Sequence, residues 1–198
     1  GYQAVIMIKM LLEKLPFSAF QNDLQEHCER IMQEKKVNKE YLIDLFGSTR
    51  DKWIKNDLQG WLKSHRFFPG TIDTFKEACQ KFDVYILTTK QERYVSLLLE
   101  GEGVNFPAEK IFGLEKKISK EKSLENFIAN GTEKIAFVED RYETLQRVVA
   151  IPELMKKTKL FYALWGYGTE AERNEREKQK AIKAIGLQDF NCEFFEKQ

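Results

Sequence analysis

The stretch FVEDRYETL, residues 137–145, places two adjacent acidic residues between an apolar run and a helical pattern. The segment 135–138 is short and uncharged, as expected of a buried strand. From residue 142 onward, the apolar positions have helical spacing. Glu139 and Asp140 therefore fall where a predicted strand ends and a helix begins. A junction of this kind indicates a strand-to-helix unit of an α/β protein.

The same alternation continues on both sides of this stretch. VYIL at residues 84–87 and the run at 160–164 are typical of buried strands, and residues 111–112 suggest a short one. Helical patterns lie between them, so we predict βαβ units with a mostly parallel sheet. Ligands bind at the carboxyl ends of the strands in such sheets. Thr88, Asp140 and Gly166 each follow a predicted strand and should lie at that edge.

The first part of the chain has a different pattern. Apolar residues recur at helical spacing through residues 5–15 and again up to residue 62, and we find no convincing strand there. The pattern changes after FFPG at residues 67–70. We therefore predict a helical, cap-like region at residues 1–66 and an α/β core at residues 67–198.

Composition excludes several classes of partner. Among 198 residues, 32 are Lys or Arg and 31 are Asp or Glu, which leaves a net charge of +1. This balance provides no basic surface for nucleic acid or a membrane, and no apolar run is long enough to span a bilayer. Cys28, Cys79 and Cys192 are odd in number and lack metal-ligand spacing, which predicts reduced thiols in a cytoplasmic, intracellular protein.

The residues at the predicted strand ends suit phosphoryl transfer. A threonine hydroxyl and a lysine ammonium can neutralise phosphate oxygens, and adjacent carboxylates can hold Mg²⁺. Each residue alone has a simpler interpretation, because a Thr often ends a strand and an acidic pair at a strand-to-helix junction is often a helix cap. The set in this order favours a phosphate site.

Four segments in order resemble the haloacid dehalogenase-like (HAD) hydrolases, particularly phosphoglycolate-phosphatase-like members. They are FPG at residues 68–70, VYILTTK at 84–90, FVEDR at 137–141 and LWGYG at 164–168. Residues 1–62 resemble the helical cap of a plant and cyanobacterial subgroup. The resemblance implies a three-layer Rossmann-like α/β core with a mostly parallel sheet, an N-terminal helical cap, and a Mg²⁺-dependent phosphatase acting on a small phosphorylated substrate.

The resemblance also implies roles for individual residues. Thr88 would be the phosphate-binding hydroxyl, Asp140 the first choice of Mg²⁺ ligand and Glu139 the second, with Glu143 as another acid near the metal. The family's lysine precedes a helix, and the candidates are Lys116, Lys117, Lys120 and Lys122. Lys120 has the best spacing to the first apolar helix position, so we expect it to act with Thr88 in catalysis.

The family's nucleophile motif is missing. HAD enzymes attack with an aspartate at the end of the central strand, and no Asp-x-Asp pair or strand precedes Phe68. Asp44, in YLIDLFGST at residues 41–49, is tempting, but its apolar neighbours have helical spacing and only three precede it. We reject Asp44. We expect the first motif and its strand to lie upstream of Gly1, so that this truncated chain is inactive.

Two other functional classes remain open. A non-catalytic HAD-like binding or assembly protein fits the missing nucleophile. A phosphorylation receiver domain also uses acids, a Thr and a Lys, but its acids come first and its Lys last, whereas the order here is Thr88, Lys120, Asp140. Nothing in residues 1–66 identifies a substrate.

Loss of the central strand would have a structural cost. The strands that end at Thr88 and Asp140 would each keep an edge with unpaired backbone groups. The two strands could pair directly, residues 1–10 could move in, or a second chain could add a strand. Residues 5–8 are apolar enough to do so, although their continuation to Leu15 favours a helix. We therefore predict a homodimer or another compensating rearrangement.

Overall fold

The computed structural model describes residues 2–16, 20 and 24–192, with only the backbone for residue 192. The chain divides into two compact units, Gly1–Arg66 and Phe67–Gln198, and the boundary coincides with the change of pattern at FFPG. Each unit is described by itself. Among the described helices, none has the length and apolar character needed to cross a membrane.

Among the described residues of the first unit, all regular elements are helices. Its helices are α1 (Tyr2–Leu12), α2 (Leu24–Glu34), α3 (Lys39–Asn56) and α4 (Leu58–Lys63). Asn38 caps α3 by accepting a hydrogen bond from Tyr41 N, which satisfies one of the free amides at a helix start. The core of this unit contains Ile6, Met10, Cys28, Ile31 and Leu42.

Two expectations about the first unit are confirmed. Asp44 lies inside α3 rather than at a strand end, which agrees with our rejection of it as a nucleophile. The run at residues 5–8 is part of α1, and Ile6 and Met10 are buried against the other helices of the unit. That run therefore does not act as a strand.

The second unit alternates strands and helices. Its helices are α5 (Thr71–Lys81), α6 (Glu92–Gly101), α7 (Lys120–Ala129), α8 (Tyr142–Val149), α9 (Pro152–Met155), α10 (Glu170–Lys178) and α11 (Leu187–Cys192). Its strands are β1 (Ile86–Leu87), β2 (Ile111–Phe112), β3 (Ile135–Glu139), β4 (Thr158–Ala163) and β5 (Ile182–Ile185).

The strands form two separate parallel sheets. One contains β1 and β2, and the other has the order β3-β4-β5. Glu139 aligns with Tyr162 in the ladder between β3 and β4. The expected α/β class with parallel strands is confirmed, but the strands lie in two small sheets rather than in one.

No ladder among the described strands joins the two sheets. In the part of the chain that the structure describes, β1 pairs with β2 and β3 with β4, and no ladder joins β1 to β3. Direct pairing of the strands that end before Thr88 and Asp140, one of the arrangements considered above, is therefore not observed among the described residues. Helix α7 contacts both sheets, because the Phe127 ring lies 5.2 Å from that of Phe112 in β2 and packs against the core that contains Phe137 of β3.

Candidate functional site

An ion pair joins the start of α7 to the end of β3. Ser119 caps α7 by accepting a hydrogen bond from Lys122 N at 3.1 Å, so Lys120 is the first residue of the helix. Its Nζ donates to Oε2 of Glu139, the last residue of β3. The Glu139 side chain is 4% exposed, and its Oε1 accepts a hydrogen bond from Arg141 N at 3.1 Å. Both carboxylate oxygens of Glu139 are therefore engaged.

Asp140 is held differently from its neighbour. Its Oδ2 accepts a hydrogen bond from Tyr167 N at 3.2 Å. An ideal Cβ built on Gly166 would lie only 2.7 Å from Asp140 Cγ, so the loop can approach this carboxylate only because residue 166 has no side chain. Among the described residues, no hydrogen-bond or ion-pair partner contacts Asp140 Oδ1, which leaves one oxygen available to a ligand.

The loop at residues 164–168 is fixed on both sides of this contact. Gly166 N donates to Ala163 O at 3.3 Å, and Arg173 Nη2 donates to Leu164 O at 3.1 Å. Thr169 then begins α10 with a reciprocal capping box to Glu172. These contacts fix the loop between β4 and α10, and the hydrogen bond from Tyr167 N to Asp140 Oδ2 joins it to the end of β3.

Thr88 lies at the carboxyl end of the other sheet. Its N donates to Phe112 O at 2.9 Å, and its Oγ1 accepts from Lys90 N at 3.1 Å. Within the described part of the chain, the hydroxyl proton has no acceptor and no hydrogen bond joins Thr88 to Lys120, Glu139 or Asp140. The hydroxyl is therefore free to donate to a ligand, and convergence of Thr88 with the other residues stays a prediction.

Of the four candidate lysines, Lys120 is the one whose contact reaches the strand-end acids. Lys122 pairs with the exposed Glu125 on the same helix. The Lys116 ammonium lies 5.7 Å from the centre of the Phe112 ring. The spacing argument that selected Lys120 thus identified a residue that meets Glu139.

A second ion pair ties α7 to α8. Arg147 Nε donates to Glu121 Oε1 at 2.7 Å, and its Nη1 donates to Glu143 Oε1 at 3.1 Å. Burial alone would raise the pKa of Glu121, but hydrogen bonds from Arg147, from its own backbone and from Ser119 outweigh burial and lower that pKa. Glu143 therefore lies in a surface network with Arg147, and its role near a metal stays a prediction. Sequence reasoning missed the pair of Glu121 and Arg147, because 26 residues separate them.

The donor set fits Mg²⁺ with few protein ligands. Among the described residues, no group of three or more His, Cys, Asp or Glu side chains could hold a metal ion. Mg²⁺ usually keeps several waters and takes one or two protein carboxylates, so an ion bound here would have Asp140 Oδ1 as its one available protein ligand. Glu139 could become a second ligand only by releasing Lys120.

Comparisons of this chain with models of known families, with curated proteins and with solved structures found no match. The described residues that bear on function are the paired Lys120, Asp140 with one available carboxylate oxygen, and Thr88 with a hydroxyl that is free to donate.

Proposed function

We propose that this chain is part of a Mg²⁺-dependent phosphatase of the HAD superfamily, that the full-length protein acts on a small phosphoester, and that residues 1–198 alone bind phosphate without turnover. The observation that carries the proposal is the contact of Lys120 with Glu139, one residue before Asp140. It brings the Lys120 ammonium to the end of the strand that Asp140 follows, which supports a phosphate site there.

Each residue has a chemical role in this proposal. The Lys120 ammonium neutralises a phosphate oxygen, and the Thr88 hydroxyl donates a hydrogen bond to another. Asp140 would hold Mg²⁺, which adds positive charge beside the phosphate when it is bound. Glu139 keeps the ammonium in place, because both of its oxygens are already hydrogen-bonded.

The proposed lack of turnover has a separate basis. Carboxylate catalysis requires an aspartate aimed at the phosphorus atom. Within the described part of the second unit, Asp140 is the aspartate that directly follows a strand, and the proposal assigns it to the metal.

A non-catalytic binding or assembly role is the second candidate. Within the described residues, β1 and β3 are each paired along one edge. This favours an assembly role, because a strand edge without a partner can accept a strand from another chain. A homodimer is the simplest form of this role. Cys28 and Cys79 are both free thiols, which supports a reducing, cytoplasmic location in either case.

Calorimetric titration of the chain with inorganic phosphate, with and without Mg²⁺, tests the proposal. We expect phosphate to bind more tightly when Mg²⁺ is present. Asp140→Asn should remove the effect of Mg²⁺, and Lys120→Met should weaken phosphate binding under both conditions. Lys122→Met is the matched control, because it removes a neighbouring ammonium that pairs with Glu125.

Three results would contradict parts of the proposal. Absence of phosphate binding, or equal binding by all variants, would reject the site. Hydrolysis of p-nitrophenyl phosphate by the chain alone would show that a nucleophile is present, and Asp44→Asn would then test the rejected residue. A dimer in light scattering, without any phosphate binding, would favour the assembly role.

A further inference from the structure

Tyr167 is the most exposed large hydrophobic side chain of the described residues, at 93%. Its neighbour Trp165 is partly buried and stacks on Phe190, with 5.2 Å between ring centroids. The two aromatic residues of this short loop therefore have different roles. Trp165 anchors the loop, whereas the ring of Tyr167 contributes little to packing within the chain.

The backbone beneath this ring is well fixed. Tyr167 N donates to Asp140 Oδ2 at 3.2 Å, and the residues on both sides are glycines that the surroundings require. A Cβ on Gly166 would lie 2.5 Å from Asp140 Oδ2, and one on Gly168 would lie 2.7 Å from Cζ of the buried Tyr162. The loop is thus pressed onto the end of the sheet while the ring of Tyr167 extends into solvent.

An exposed aromatic side chain on a fixed backbone beside a proposed ligand site is suited to recognition. Tyrosine supplies a large contact area with few rotatable bonds, and aromatic rings pack favourably in offset or edge-to-face arrangements. Its backbone lies within hydrogen-bond distance of Asp140, so the ring lies within one side-chain length of the proposed phosphate site. A planar group attached to the phosphate is the chemistry that this ring would recognise.

We infer that Tyr167 is a specificity-determining residue that favours phosphoesters whose organic part is planar, by packing against that part while Lys120 and Asp140 engage the phosphate end. This inference rests on the proposed function, because it needs the phosphate to bind at these residues.

Titration with three probes in the presence of Mg²⁺ tests the inference. Phenyl phosphate carries a planar group, glycerol phosphate a flexible one, and inorganic phosphate none. We expect the unaltered chain to bind phenyl phosphate most tightly of the three. Tyr167→Ala should weaken the binding of phenyl phosphate about 3- to 10-fold. It should change the affinity for each of the other two probes by less than about twofold. Tyr167→Phe should retain the preference, because it keeps the ring.

The control is Phe82→Ala. Phe82 is a partly exposed aromatic residue, 45% exposed, and it lies before β1 rather than after it. It should change none of the three affinities.

The outcomes separate this inference from the proposed function. If the unaltered chain binds no phosphate probe, both are overturned. If it binds all three and Tyr167→Ala leaves the preference for phenyl phosphate unchanged, or weakens all three equally, the phosphate site stands and the role of Tyr167 is rejected. Loss of the preference in Tyr167→Phe would also reject packing by the ring.

Discussion

Lys120 and Glu139 form an ion pair whose two partners differ in exposure. The Glu139 side chain is 4% exposed, and the Lys120 side chain is 21% exposed. The carboxylate cannot easily leave, because Arg141 N also binds it, whereas the lysine retains access to solvent. An incoming phosphate would therefore meet an ammonium that is already positioned and that has hydrogens to share.

Removal of this ammonium should destabilise the second unit. Lys120→Met leaves the Glu139 carboxylate buried without its charged partner, which should reduce the free energy of unfolding by about 1–3 kcal/mol. Urea denaturation measures it. Lys122→Met removes an exposed pair with Glu125 and should cost less than about 0.5 kcal/mol. Equal losses of unfolding free energy in the two variants would show that the buried Glu139 carboxylate is not stabilised by Lys120.

A double-mutant cycle should reveal the coupling. Lys120→Met combined with Glu139→Gln removes both charges, so the pair of changes should cost less than the sum of the single changes, with an interaction of about 1 kcal/mol or more. Additive losses would indicate that the two side chains act independently.

Glu121 should make stability depend on acid. Its pKa lies below the ordinary value of 4.5 in the folded protein, so its contribution is present above that value and is lost as the pH falls through the folded pKa. Glu121→Gln should therefore lower stability at pH 7 and flatten its dependence below about pH 4.5. Denaturation curves from pH 3 to 7 measure this. Glu125→Gln controls for loss of one carboxylate from the same helix, and an unchanged acid slope in Glu121→Gln would contradict the assignment.

Gly166→Ala should disturb Asp140. The new methyl group would overlap the carboxylate, so the loop or the side chain must move, at a cost of about 1–3 kcal/mol in unfolding free energy. Gly47→Ala is the opposite control, because a Cβ there has no atom within 4 Å and should stabilise α3 by about 0.5–1 kcal/mol. Thermal denaturation of the two variants measures the difference. A Gly166→Ala variant that is more stable than the unaltered chain would contradict the close approach of residue 166 to Asp140.

Thiol labelling should report opening of the helical unit. In a Cys192→Ser background, the exposed Cys79 should react without unfolding, whereas the buried Cys28 should react only when its unit opens. Ile31→Ala, which removes a core side chain beside Cys28, should cost about 2–5 kcal/mol and speed labelling of Cys28 alone. Unchanged labelling of Cys28 in Ile31→Ala would contradict its protection by the core of the helical unit.

Local patterns predicted most of the elements, and failed where pairing decides the result. VYIL predicts a four-residue strand at 84–87, but in the described part of the chain only Ile86 and Leu87 are in a ladder, because the partner strand β2 is itself only two residues long. Strand β5 escaped prediction, since its four residues carry only two buried apolar positions, Ile182 and Ile185.

Local patterns selected the candidate site residues but could not predict their contacts. Spacing to Leu124 selected Lys120, and the strand end selected Asp140. The partners were not predictable, because Glu139 is 19 residues from Lys120 and Tyr167 is 27 from Asp140. Those contacts depend on how α7 and the loop after β4 dock on β3, which no local pattern encodes.

The sheet that carries Thr88 is only two residue pairs long. Such a small sheet holds few hydrogen bonds against local opening, so the amides of β1 and β2 should exchange with deuterium faster than those of β3 and β4. A phosphate that bridges Thr88 to Lys120 would have to suppress this opening, and part of its binding energy would be used to order the segment. Ligand binding should then appear as slower exchange in β1 and β2, even where no atom of the ligand touches them.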